Sequence, residues 1–465
     1  MSRLRSHAVS AVSRPITMWA VVGLLLATVY LAFLAREMAT QSYTVWGGLV
    51  IAPVLIAISL PILFRVAHKT DDAGMAGLFV AALLLKFIGA LVRYYVVIDV
   101  YGGNDSIGYH QWGVHLAPIF RSGDLTVDIG RAAIGTGFIE ILTGWVYVFT
   151  GPTIIGGYLV YSWLGFWGLF LFYRAFRIAV PNGDFRRYAL LVFFMPSMLF
   201  WSSSIGKEAW MTFALGVTAY GAARLLTHKR WGLPIVGLGL LGTVMVRPHV
   251  ALVVFLALGA AYIVRPAKRA SLTNPVAKVG GLVVLAVVGL IVLSQVQDFF
   301  GVQKVDTTAV ESVFDRTRQQ SSQGGSEFEA LEPGSPAGYG LAMVSVLFRP
   351  WPVEAHNPQA LAASLEGVVL LVLCLLSFRR LAAIPRAMIR TPYVALAVVF
   401  SLAFIYAFAS IGNFGIIVRQ RVQLYPFVFV LLAIPAADVR SGVSRRVQHP
   451  IVWRSEGPDN AGPVS

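Results

Sequence analysis

The sequence predicts an all-α polytopic membrane protein, with about twelve transmembrane helices plus extracytoplasmic interfacial helices. Three observations carry that expectation. Hydrophobic residues make up 57 % of the 465 residues and charged residues only 13 %, against about 25 % charged in soluble globular domains. Apolar segments recur from residue 16 to residue 437 with no interval of soluble-domain size, so residues 1–465 read as a single membrane domain. The net charge of +15 sits mostly in short loops at alternate ends of the apolar runs. That distribution orients a chain in a bilayer and does not suggest a nucleic-acid surface.

The chain opens with basic residues followed by an apolar stretch of about 20 residues, too long for a signal-peptide core and without a cleavage site. Residues 16–35 are therefore the first span, with the basic end in the cytoplasm. Further spans are expected at 46–64, 76–98, 153–173, 188–203, 208–225, 232–246, 249–264, 277–296, 360–377, 392–411 and 422–437. This layout places "RVAHK" (65–69), "RAFRIAVPNGDFRR" (174–187), "RLLTHKR" (224–230), "RPAKR" (265–269) and "FRRLAAIPRAMIR" (378–390) on the cytoplasmic side. Both termini join them there, with 438–465 as a cytoplasmic tail. Several spans are shorter than the roughly 20 residues that a 30 Å hydrocarbon core requires. The stretch "GTGFIEILTGWVYVFTG" (135–151) is short and holds Glu140. It reads as a re-entrant or interfacial helix, because counting it as a span would move basic loops outside.

Two long extracytoplasmic segments follow, 99–134 and 297–359; the second is polar and rich in Gly and Ser, as a mobile loop or lid would be. The single cysteine, Cys374, lies in an apolar run. It excludes a disulfide within the chain and reads as a small core hydrophobe.

Polar residues gathered at the face that the charge rule leaves poor in cations are functional candidates. In "YGGNDSIGYHQWGVHLAPIFRSGDLTVDIGR" (101–131), an Asp105 cap would place Tyr109 and His110 about one helical turn along. The stretch "FWSSSIGKEAW" (200–210) puts Lys207 and Glu208 at the turn between two spans. Its Ser202 to Ser204 are expected to cap the following helix, with Glu208 favouring the helix dipole. "VMVRPHVAL" (245–253) supplies Arg247 and His249, "FRPWPVEAHN" (348–357) supplies Arg349, Glu354 and His356, and "GNFGIIVRQRVQLYP" (412–426) brings Arg419 and Arg421 to the start of the last span. Lys207 and the four arginines point to an anionic ligand, since guanidinium groups bind phosphate bidentately. A phosphate-cradling P-loop is excluded at "SIGKEA": the motif needs glycine where Trp201 stands and Ser or Thr where Glu208 stands.

The pattern Asp105, Tyr109, His110, Gly113, Leu116, Gly123, together with "PSMLFWSSSIGKEA", "RPH", "FRPWPVEAHN" and "RQR", resembles the GT-C class of integral-membrane glycosyltransferases and oligosaccharide polymerases, in bacterial and actinobacterial form. The resemblance covers about residues 76–430. It implies a GT-C-like fold in the inner membrane that moves a sugar from a polyprenyl-phosphate-linked donor to a cell-envelope glycan or lipid acceptor on the extracytoplasmic face. It implies Asp105 as the acidic base or metal-linked carboxylate, and Arg247, Arg419 and Arg421 as holders of the lipid phosphate. The chain departs from the family in that Asp105 follows the third span and not the first.

On this reading Asp105, His110, His249 and Glu354 are candidate catalytic residues. Tyr109, Lys207, Glu208, Arg247, Arg349, His356, Arg419 and Arg421 are candidates for binding substrate. A divalent metal is optional, because the leaving group is already a phosphate and the cations can take its charge. Two other functions use the same residues. A polysaccharide polymerase would act on an undecaprenyl-pyrophosphate-linked oligosaccharide. A transporter or lipid flippase would place its charges nearer the bilayer midplane.

Overall fold

The computed structural model describes residues 8–70, 72, 74–126, 128–266, 280, 289–298, 307–321, 327–329 and 335–436. These are helical throughout apart from turns and one isolated bridge between Glu327 and Asn413. The expected tail, most of the span at 277–296 and the Gly/Ser-rich part of the second long loop lie outside the described residues.

The chain begins with α1 (Ala8–Thr40), α2 (Tyr43–Ala67) and α3 (Met75–Tyr95), the last running into a π-turn at Val96–Val100. Gly102 and Gly103, with φ of 65° and 126°, turn it into α4 (Asp105–Arg121). α5 (Thr136–Thr150) packs against α4, and α6 (Ile154–Ala179) enters the centre against α2 and α3. α7 (Phe185–Phe194), α8 (Pro196–Phe200), α9 (Lys207–Leu226), α10 (Gly232–Val244) and α11 (Pro248–Ile263) follow. The rest is α12 (Thr307–Ser321), α13 (Pro336–Phe348), α14 (Pro358–Leu376), α15 (Phe378–Leu381), α16 (Ile384–Arg390), α17 (Pro392–Phe408) and α18 (Phe414–Ala433).

Among the described residues five helices are long and apolar enough to cross a membrane: Tyr43–Ala67, Met75–Val100, Ile154–Ala179, Pro358–Leu376 and Phe414–Ala433. Large apolar side chains are exposed along Tyr43–Ala67 and Pro358–Leu376, whereas Ile154–Ala179 and Phe414–Ala433 are mostly buried in the bundle. On α2 the row Val50, Val54, Ile58 and Ile62 is exposed, one residue per turn, as a lipid-facing stripe requires. The spans expected at 232–246, 249–264 and 392–411 fall on apolar helices of 13, 16 and 17 residues.

Two boundaries are corrected. The expected span 188–203 is not one helix: α7 ends at Phe194, Met195 is extended with ψ 130°, and Pro196 opens α8. A proline disfavours the α region for the residue before it and cannot donate the helical hydrogen bond, so the chain breaks there. The last helix starts at Phe414, eight residues before the expected 422. Arg419 and Arg421 therefore lie inside it, in its second turn.

Close backbone packing joins α6 to α9. A Cβ on Gly216 would strike the Gly168 carbonyl, and one on Gly168 would strike the Thr212 carbonyl. In lipid, where apolar side chains gain little by meeting each other, small residues of this kind let helices approach and bond by dispersion. Gly216→Ala should therefore cost about 1–3 kcal/mol by overpacking, read as a lowered melting temperature in detergent. Gly237→Ala on α10, where the added methyl meets nothing, is the control expected to change little.

Candidate functional site

A polar cavity of about 130 Å³ lies where α3 ends and α4, α9, α11 and α18 begin. Each element brings its residues there for a local reason. Asn104 caps α4 by accepting from the Ser106 N–H at 2.9 Å, and the Ser106 hydroxyl meets Tyr158 Oη at 2.6 Å. This leaves Asp105 in the first turn with its carboxylate at the mouth, 70 % exposed. The expected cap is thus Asn104 and not Asp105. One turn on, Tyr109 faces the cavity, and burial followed by the nearby Asp105 and Glu208 carboxylates raises its phenol pKa.

The α8–α9 turn supplies Lys207 and Glu208. Ser202 and Ser203 do not cap α9 as expected: their hydroxyls donate back to the Met198 and Leu199 carbonyls, and the N-cap is Gly206. The turn is held from beneath by Lys86 on α3, whose buried ammonium donates to the Met198 carbonyl and, at 2.6 Å, to Ser202 Oγ. Lys207 Nζ donates to Thr136 Oγ1 at 2.9 Å, tying α9 to α5.

Glu208 is the hub. Arg247, the N-cap of α11, places Nη2 at 2.9 Å from Glu208 Oε1, and Arg419 of α18 places Nε at 3.2 Å from the same oxygen. Arg419 Nη1 then reaches 3.6 Å from Asp105 Oδ2, so one guanidinium spans both carboxylates. The Arg419 Nε–H is off line and makes no hydrogen bond, and Arg247 Nη1 and both Nε and Nη1 of Arg93 are buried without partners. Arg93 lines the cavity with its guanidinium 4.7 Å from the Phe200 and Trp201 ring centroids. The lining thus holds four cations (Arg93, Lys207, Arg247, Arg419) against two carboxylates (Asp105, Glu208). Buried N–H groups without acceptors in a net-positive cavity suit an anion with several oxygens.

Seven of the twelve residues singled out in the sequence line this cavity: Asp105, Tyr109, Lys207, Glu208, Arg247, His249 and Arg419. Five do not. His110 faces away, its Nδ1 at 2.6 Å from Tyr147 Oη, and burial pushes its pKa down. Arg349 and Glu354 pair with each other, and Arg349 lies over the Phe328 ring at 4.4 Å. Burial pushes Glu354 up, but hydrogen bonds from Arg349 and the Trp351 N–H outweigh it and hold the carboxyl below its usual range. His356 is exposed. Arg421 is buried on the opposite side of α18, where Nε donates to the Val346 carbonyl at 2.6 Å.

Sequence reasoning missed Arg93, Asn104, Ser106 and Thr136. Arg93 carried a readable signal, since a cation inside an apolar run is a functional candidate by default. Lys86 stands seven residues before it on the same face. Among the described residues no group of three His, Cys, Asp or Glu side chains could hold a metal ion.

An apolar groove of about 620 Å³ runs beside the cavity, between the π-turn, α8 and the start of α14. Phe200 and Trp201 form its wall on one side and carry Arg93 on the other. Fold and site together define a helical, membrane-type protein with a cation-lined pocket next to an apolar groove. Compared with protein families, curated proteins and solved structures, the chain matches none.

Proposed function

We propose that the protein is a GT-C-like membrane glycosyltransferase of about twelve spans, acting at the extracytoplasmic face of the inner membrane. It transfers a sugar from a polyprenyl-phosphate-linked donor to a cell-envelope glycan or lipid. The observation that carries this reading is the excess of cations in the cavity, with buried N–H donors on Arg93 and Arg247 that have no acceptor. A lipid phosphate would satisfy them while its chain lay in apolar surroundings.

In this mechanism the acceptor hydroxyl attacks the anomeric carbon and the sugar–phosphate C–O bond breaks. The proton passes to Asp105, the one cavity carboxylate that is largely exposed. Arg419, Arg247, Arg93 and Lys207 take up the charge that grows on the departing phosphate. Fixed donors of this kind contribute about 3 kcal/mol each in a water-poor site. Glu208, held between two guanidinium groups, positions those cations and takes no proton.

The test is the lipid-linked glycan that co-purifies with the protein, identified by native mass spectrometry, joined to a binding series in nanodiscs. A polyprenyl monophosphosugar supports transfer of single sugars, and a pyrophosphate-linked oligosaccharide supports the polymerase. Arg419→Leu should weaken polyprenyl-phosphate binding roughly thirtyfold, about 2 kcal/mol. Arg421→Leu should leave that affinity within about twofold yet cost about 1–3 kcal/mol of stability, by stranding the Val346 carbonyl. Equal affinity in wild type and Arg419→Leu would remove the phosphate role.

A further inference from the structure

We propose that the apolar groove binds a hydroxyl-bearing lipid, with the carboxylate of Glu366 as its hydrogen-bond acceptor. Glu366 sits on α14, is 5 % exposed and lines the groove. Its Oε2 accepts from the Ser197 N–H at 2.9 Å and from Ser197 Oγ at 2.8 Å. Its Oε1 is buried and has no hydrogen-bond partner. Arg421 is within electrostatic reach of Glu366, but its guanidinium donates to the Val346 carbonyl and makes no ion pair there.

A carboxyl group lining a mostly apolar groove selects what enters. A saturated or isoprenoid chain offers it no donor, and a phosphate brings a like charge, so each leaves the oxygen's desolvation uncompensated. A hydroxyl carried by an apolar chain satisfies the oxygen and fills the apolar walls. The groove therefore differs in ligand chemistry from the cationic cavity on the other side of Phe200 and Trp201: anion there, neutral donor here. The groove's lining includes neither Asp105 nor the cavity cations, which it meets only through the Phe200 and Trp201 wall, so this binding stands apart from the transferase reading.

The test uses two diazirine-tagged probes, a long-chain alcohol and its methyl ether, photo-crosslinked to the full chain in nanodiscs and mapped by peptide mass spectrometry. The alcohol should label the peptides containing Trp201 and Glu366 at least about fivefold more than the ether, the yield of one net hydrogen bond. Glu366→Gln keeps an oxygen for Ser197 and presents an NH2 group to the groove, so the preference should fall to within about twofold. Ala363→Phe, which fills the groove while leaving Glu366 in the sequence, should suppress labelling by both probes. Equal labelling in wild type, no labelling, or a preference that survives Glu366→Gln overturns the assignment. Crosslinking needs no turnover, so the groove assignment and the transferase reading can fail separately.

Discussion

Glu208→Gln should destabilise the protein by about 3–5 kcal/mol, the usual cost of breaking a buried ion pair from one side. The substitution keeps the side chain's size and its place in the first turn of α9. It removes the negative charge between Arg247 and Arg419, whose side chains are 8 % and 32 % exposed. Arg419 retains Asp105 at 3.6 Å, whereas the buried Arg247 has no other ion-pair partner among the described residues. The loss should therefore come mainly from Arg247. Glu208→Gln combined with Arg247→Met should recover more than half of it, because no unpaired buried charge then remains. Denaturation in detergent, followed for the two single variants and the double variant, measures the coupling. If Glu208→Gln melts within about 1 kcal/mol of wild type, the hub role assigned to Glu208 is wrong.

The stretch that holds Glu208 shows how far a sequence can be read. Its apolar flanks and the charged pair between them were enough to put Lys207 and Glu208 at the junction of two helices. The partners were not legible, because Arg247 and Arg419 lie 39 and 211 positions away and only tertiary packing brings three helix ends together. The serines that read as caps bond backward instead, to carbonyls one turn earlier. Ser hydroxyls have that choice, and local sequence does not decide it.

Arg419 and Arg421 were read as one cluster from "RQR". Residues two apart on a helix point to nearly opposite faces, so Arg419 enters the cavity and Arg421 packs under α13. The break at Pro196 follows from the restriction proline places on Met195, yet the continuous apolar run from 188 to 203 conceals it. What composition does reveal is the helical, membrane-type architecture, because long apolar segments can satisfy their backbone groups in lipid only as helices.

Asp105→Asn should cut transfer by a factor of about 10²–10⁴ while changing stability by less than about 1 kcal/mol. The contrast rests on where the carboxylate lies. Asn104, not Asp105, caps α4, and the Asp105 side chain is 70 % exposed with one ion-pair contact, to Arg419 at 3.6 Å. An exposed pair of that length contributes little to folding, whereas an accessible carboxylate beside the site of a departing phosphate is well placed to take a hydroxyl proton. Single-turnover transfer in nanodiscs, with donor binding measured separately, divides the outcomes. A fall in the chemical step with donor affinity intact supports the base. Weaker donor binding with an unchanged chemical step would mean that Asp105 acts only by holding Arg419. Asp105→Glu should restore part of the rate, since it returns a carboxylate to the mouth, and a purified Asp105→Asn protein with full activity would deprive that carboxylate of its role.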